Sequence, residues 1–191
     1  FVEDTAIVLD EVAVLMRPGA PSRRPEVPTV AAALAPWRPL LAMQGPGTVD
    51  GGDVLRLGRT LWVGETTRST PDGIAELAAL VAPHGYAVRS TRVRGALHLK
   101  SAATEVADGL LLANPAWIDP SSLGDHEWIA VDPAEPFAAN AVRVAGAVVH
   151  STQFPATQAR LRARGLRVIG VDASELAKAE GGVTCCSLLV S

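Results

Sequence analysis

Cysteine is nearly absent from this 191-residue chain: there are two, side by side at positions 185 and 186. Two adjacent thiols cannot build a disulfide framework, which fits a reducing compartment and a cytoplasmic protein. No apolar run is long enough to span a bilayer, and no signal peptide is visible. Neither sign of charge is in large excess. The 17 Lys and Arg against 20 Asp and Glu leave a net charge of −3, so the footprint of a nucleic-acid or membrane partner is missing. Metal-ligand spacings are missing too: the chain has no C-x-x-C and no H-x-x-x-H. No metal and no cofactor is expected. Aromatic residues make up only 4%; Ala, Val, Leu and Gly dominate. The first residue is Phe1, not Met, and it falls inside an apparent strand. The expectation is a single domain over 1–191 that lacks its true N-terminus.

What is present is a repeated sentence. The turn dipeptides Asp10-Glu11, Gly58-Arg59, Asp108-Gly109 and Ala145-Gly146 each separate two short apolar runs, which reads as a hairpin. Helical patterns are expected over 22–34, 70–82, 119–128, 155–164 and 174–180. Short strands follow at 40–43, 86–93, 129–131 and 166–171. The Gly181-Gly182 pair then delivers the chain into Val183-Thr184-Cys185-Cys186-Ser187-Leu188-Leu189-Val190, which reads as a buried strand.

A polar residue starts each hairpin: Asp4, Asp50, His98, Asn140 and Cys185, at intervals of 46, 48, 42 and 45 residues. A period of that size signals a solenoid or propeller array. Five anchors with four intervals predict an α/β propeller of five blades, with one segment missing. Equivalent strand starts would converge near its axis.

Four of these anchors form a plausible thiol-nucleophile set. A thiol becomes nucleophilic as the thiolate, and a nearby imidazolium promotes that form. His98 can serve as general acid and base, and Asp50 can orient its ring. Glu3 and Asp4 are adjacent acids suited to a cationic substrate. Arg23 and Arg68 sit at equivalent places after the first two hairpins, and a guanidinium fork grips a carboxylate. Each residue also has a plain reading. Cys185 and Cys186 could be inert buried thiols. His98 could be a satisfied core histidine, and Asp50-Gly51-Gly52-Asp53 a turn with two exposed carboxylates. Either arginine could be a surface residue. Asn140 reads as structural, an amide completing backbone hydrogen bonds. His84, His126 and His150 read as solvated.

Six stretches carry a resemblance to a known family. They are Phe1-Val2-Glu3-Asp4-Thr5-Ala6, Arg17-Pro18-Gly19-Ala20-Pro21-Ser22-Arg23-Arg24, Asp50-Gly51-Gly52-Asp53-Val54-Leu55, Leu97-His98-Leu99-Lys100-Ser101, Ala138-Ala139-Asn140 and Thr184-Cys185-Cys186-Ser187. In that order the chain resembles the dimethylarginine dimethylaminohydrolases of the arginine deiminase (pentein) superfamily. The resemblance implies a five-bladed α/β propeller. It implies Cys185 as nucleophile, His98 as acid/base and Asp50 as triad acid. Asp4, with Glu3, would hold the substrate guanidinium; Arg23 and Arg68 would hold its carboxylate. The backbone carbonyl of Ala179 would receive its α-amino group. Lys100 stands where arginine deiminases carry an aspartate, which points to methylated arginine as substrate. The implied reaction is hydrolysis of dimethylarginine, or the monomethyl form, to citrulline and the methylamine, with no cofactor. A homodimer is admitted but not required. The family's lid loop and a further acidic residue precede the matched region and are missing from this chain. An arginine deiminase, another guanidine-modifying pentein, or a non-catalytic arginine-binding pentein are the alternatives.

Overall fold

The computed structural model describes residues 1–190. The four hairpins marked by turn dipeptides form, and each pairs with the short strand expected after it; the fifth, expected at Cys185, does not form among the described residues. β1 (Ala6–Val8) pairs antiparallel with β2 (Ala13–Leu15), which pairs parallel with β3 (Leu40–Ala42). The same order recurs in β4 (Val54–Leu57), β5 (Thr60–Glu65) and β6 (Ala87–Arg92). It recurs in β7 (Ala103–Ala107), β8 (Leu110–Ala113) and β9 (Glu127–Ala130), and in β10 (Ala141–Val144), β11 (Ala147–Ser151) and β12 (Val168–Val171). A parallel partner requires a crossover. Helices supply it in three repeats: α1 (Val27–Leu34), α2 (Pro71–Val81) and, in the last, α4 (Pro155–Ala163).

The helix boundaries follow local chemistry. Thr70 accepts the backbone N–H of Gly73 and Pro71 opens α2, the usual pairing of an N-cap with a proline whose missing N–H has no intrahelical partner anyway. Gly165, with φ +79°, ends the turn after α4. The helix expected over 119–128 shrinks to a 3₁₀ turn at Pro120–Leu123. There the Asp119 carboxylate accepts from Ser121 N, a local bond that competes with helix propagation.

The backbone clusters into two compact units. One comprises Phe1–Arg92, Leu97–Leu99 and the chain from Cys185 onward; the other comprises Val93–Ala96 and Lys100–Thr184. In the first, Leu77 and Val81 of α2 pack with Leu61 and Val63 of β5, Val14 of β2 and Val49. In the second, Leu161 of α4 packs with Leu112, Ile129 and Val148. Every one of these side chains is at least nine-tenths buried, so α2 and α4 are held by their apolar stripes rather than by propensity.

Three expected strands are something else. Residues 2–5 form a 3₁₀ turn, fastened where Thr5 Oγ1 donates to the Val2 carbonyl at 2.7 Å. His98 does not begin a hairpin; Leu99–Ala102 is a single helical turn, α3, and the strand starts after it. The cysteine stretch is a turn over 183–186 followed by irregular chain, not a strand. Its backbone is tied by a side chain instead of a neighbouring strand. Asn140 Oδ1 accepts Thr184 N at 3.0 Å, and Asn140 Nδ2 donates to Thr184 Oγ1 at 2.8 Å. A Cβ on Gly182 would stand 2.4 Å from that same amide oxygen, so only glycine lets the chain approach. Asn140 has the structural role expected of it.

Candidate active site

The anchor residues do not start strands. Asp4, Asp50, His98 and Asn140 stand in or beside the turn that precedes a first strand, and Cys185 stands in a turn followed by irregular chain. Asp50 follows Val49, whose N–H donates to the Arg17 carbonyl. That bridge lays the Asp50 carboxylate beside the next loop. Its Oδ1 accepts Gly19 N at 2.8 Å, and its Oδ2 lies 2.9 Å from His98 Nε2. Both oxygens are therefore engaged, and Nε2 carries the proton it donates to Asp50.

Asp4 faces the same imidazole. Its Oδ1 accepts Gly52 N at 3.0 Å and lies 3.7 Å from His98 Nε2. Gly52 makes the approach possible: a Cβ there would lie 2.7 Å from Asp4 Oδ1 and 2.9 Å from the His98 ring. Glu3 is buried beside Asp4, and Glu3 N donates to the Cys185 carbonyl at 3.2 Å. Burial alone would lower the pKa of His98. The hydrogen bond to Asp50 and the charges of Asp4, Asp53 and Asp50 outweigh it, and the net shift is upward.

The plain reading of Asp50-Gly51-Gly52-Asp53, a turn with two exposed carboxylates, does not hold for Asp53. It is completely buried. Its Oδ1 accepts Leu99 N at 3.0 Å, and its Oδ2 accepts Thr66 Oγ1 and Ser69 Oγ, each at 2.6 Å. Burial pushes its pKa up to about 6, against the opposing pull of His98 and the two hydroxyls. The only sequence signal for it was the second acid of Asp50-Gly51-Gly52-Asp53, and spacing alone could not say that this acid turns inward.

The two arginines differ. The Arg23 guanidinium is engaged: Nη1 lies 2.5 Å from Asp4 Oδ2, and Nε and Nη2 donate to Glu26. Arg68 is half-buried, its backbone N–H donates to Thr66 Oγ1, and its guanidinium makes no hydrogen bond or ion pair among the described residues. Cys185 is half-buried and Cys186 exposed, and neither is in a disulfide. Seven of the eight expected site residues fall in the first compact unit; Ala179 belongs to the second and is exposed. His150, expected in solvent, is fully buried, with Nε2 donating to the Ala138 carbonyl at 2.7 Å, and burial lowers its pKa.

One ligand atom each from Asp4, Asp50 and His98 lie within 4.8 Å of one another, close enough to share a cation. Arg23 already neutralises Asp4, and His98 already donates to Asp50. The arrangement as it stands is an imidazole whose charged form is favoured by the carboxylates around it. Among the described residues no helix is long and apolar enough to cross a membrane.

No family model matches the chain. Individual relatives do. The chain is 32% identical over 190 residues to a dimethylarginine dimethylaminohydrolase from Pseudomonas aeruginosa, covering 98% of this chain and 75% of the relative. It is 36% identical over 195 residues to one from Streptomyces coelicolor, covering 98% and 72%. The solved structure of the Pseudomonas aeruginosa protein, as a cysteine-to-serine variant complexed with citrulline, superimposes with a TM-score of 0.93 at 32% identity. It covers 98% of this chain and 74% of that one. The architecture is thus the pentein α/β fold that the resemblance implies. Likeness of that extent, in sequence and in backbone alike, places this chain in the dimethylarginine dimethylaminohydrolase family.

Proposed function

We infer that the protein hydrolyses Nω,Nω-dimethyl-L-arginine, and the monomethyl form, to L-citrulline and the corresponding methylamine. The observation that carries this is the His98–Asp50 pair at 2.9 Å with Asp4 alongside, in a chain of this family. A guanidinium is a planar cation, and buried carboxylates beside an imidazole favour its binding and its chemistry.

Cys185 is the nucleophile. Its thiolate attacks the guanidinium carbon and forms a tetrahedral intermediate. With Nε2 committed to Asp50, Nδ1 of His98 is the nitrogen that passes a proton to the departing amine. Loss of dimethylamine leaves a covalent thiouronium. His98, now neutral, takes a proton from water, and the hydroxide adds to the thiouronium carbon. Collapse to the carbonyl expels the thiolate, releases citrulline and gives up the hydroxyl proton to solvent, where the freed dimethylamine takes it up. Asp50 holds the ring and stabilises its charge; Asp4 and Glu3 stabilise the guanidinium. Arg68 grips the substrate carboxylate, the task expected of both arginines, while Arg23 pairs with Asp4. The chemistry needs a reduced thiol, which suits the cytoplasm.

The test is citrulline release from dimethylarginine, monomethylarginine and arginine at equal concentration. The proposal requires faster turnover of a methylated substrate. Faster turnover of arginine would make the protein a deiminase instead. No turnover of any, with arginine-like ligands still bound, would make it a binding protein.

A further inference from the structure

We propose that Asp53 is a positioning residue for this reaction, a buried carboxylate that sets Asp50, His98 and Arg68 in register with one another and places a negative charge behind the imidazole. The inference rests on the role given to His98 above. It starts from a cost. A carboxylate removed from water is strongly disfavoured unless donors satisfy it, and Asp53 has no exposure at all. An apolar residue would fill a merely structural position at less cost.

The donors show what the carboxylate organises. Leu99 N, on Oδ1, belongs to the residue directly after His98. Ser69 Oγ gives its proton to Oδ2 and accepts Asp50 N at 3.3 Å. Thr66 Oγ1 gives its proton to the same oxygen and accepts Arg68 N at 3.0 Å. A hydroxyl has one proton and two lone pairs. With the proton fixed on Asp53, the lone pairs of each hydroxyl can only accept, and the backbone N–H of a site residue is what they accept. Three site residues from three separate stretches are thus oriented by one carboxylate. The charged groups facing His98 are Asp50, Asp4 and Asp53, with Arg23 compensating Asp4. Of these carboxylates only Asp53 is without a direct bond or near approach to the ring or to an arginine, so its effect on His98 acts through charge and backbone placement.

The test compares the parent with Asp53→Asn, which keeps shape and removes charge. His98 ring protons are followed by NMR against pH, kcat and KM are measured against pH with dimethylarginine, and folding is checked by thermal melting. In Asp53→Asn, His98 should titrate at lower pH than in the parent. The alkaline limb of kcat should move to lower pH with it, and kcat should fall by about tenfold or more. Ser69→Ala and Thr66→Val keep the charge and cut one link each, so they decide the matter if Asp53→Asn does not fold. Ser69→Ala should lower mainly kcat, through Asp50; Thr66→Val should raise mainly KM, through Arg68. A folded Asp53→Asn with His98 titration unmoved and kcat within about twofold of the parent would overturn the proposal, as would equal effects of the two hydroxyl variants on kcat and KM. A shift of the His98 titration in a parent that turns over no methylarginine would leave the charge coupling standing and overturn the reaction assigned above.

Discussion

Arg23 Nη1 lies 2.5 Å from Asp4 Oδ2, so a side chain expected to hold the substrate carboxylate instead neutralises the acid expected to hold the substrate guanidinium. The Asp4 side chain is 6% exposed and that of Arg23 22%. A cation at Asp4 is thus already part of the resting arrangement. On the function proposed above, a substrate guanidinium either shares Asp4 with Arg23 or displaces Arg23 toward Glu26, which takes the other face of the fork.

This separates two arginines that the sequence made equivalent. Arg68→Ala should raise KM for methylarginines by about tenfold or more, as expected for loss of a charge-assisted carboxylate contact, with melting temperature unchanged. It should hardly affect a guanidine that has no carboxylate. Arg23→Ala should affect both substrates and also cost about 1 kcal/mol of stability, because it removes the ion pair to Asp4 Oδ2. Denaturant melts and KM for the two substrate types give the answer; identical behaviour of the two variants would refute the distinction.

The exposures of the vicinal thiols predict their roles. Cys185→Ser should abolish turnover, by more than about a thousandfold, since a hydroxyl at neutral pH is a far weaker nucleophile than a thiolate. Cys186→Ser, at an exposed position, should keep most activity. Mass spectrometry after a substrate quench should find the thiouronium adduct on Cys185; an adduct on Cys186 would reverse the assignment.

Stability should depend on pH through Asp53 and His98 in the same direction. Both pKa values are raised by the fold, so both groups stabilise when protonated. The Asp53 contribution is fully present below its ordinary 3.8 and is lost as pH rises through about 6, a difference of about 3 kcal/mol. The His98 contribution is fully present below 6.5 and is lost as pH rises through its higher folded value. Urea melts of parent and Asp53→Asn between pH 4 and 6 isolate the first: the gap between them should change by about 2 kcal/mol over that interval, the larger part of the full difference. A constant gap would mean that Asp53 titrates normally.

Gly52→Ala should damage the site without touching any functional group. The added Cβ would overlap Asp4 Oδ1 and the His98 ring, and relieving the overlap must part the two. A loss of about 1–3 kcal/mol is the usual cost of such overpacking, together with at least about a tenfold fall in kcat. Gly58→Ala is the control: its φ is +59° but nothing stands within 4 Å of an added Cβ, so only backbone strain of about 1–2 kcal/mol is incurred, and kcat should hold.

The repeat was legible because it is written in local chemistry. Turn dipeptides at 10–11, 58–59, 108–109 and 145–146 mark hairpins whatever surrounds them, and the β1–β2, β4–β5, β7–β8 and β10–β11 pairs form across those positions. The period of about 45 residues, and with it the equivalence of Asp4, Asp50, His98 and Cys185, could be counted before any coordinate was known. So could the thiol, the imidazole and the acid as a chemical set, since their types alone restrict what they can do.

Tertiary structure alone decided which groups are buried and what they face. Val183 to Val190 has the composition of a strand, yet Asn140, some forty residues away in sequence, captures Thr184 and holds the segment as a turn. His98 and Leu99 look like the start of a strand, yet a distant carboxylate takes Leu99 N and a helical turn begins there. Asp53 reads as one more acid of a glycine turn, and His150 as one more loop histidine, until packing removes both from water. Side-chain composition sets local preferences worth a few tenths to about 1 kcal/mol per residue. Desolvation and the hydrogen bonds that offset it are larger and arise between residues distant in the chain, so they override those preferences wherever the fold brings a donor to a buried charge.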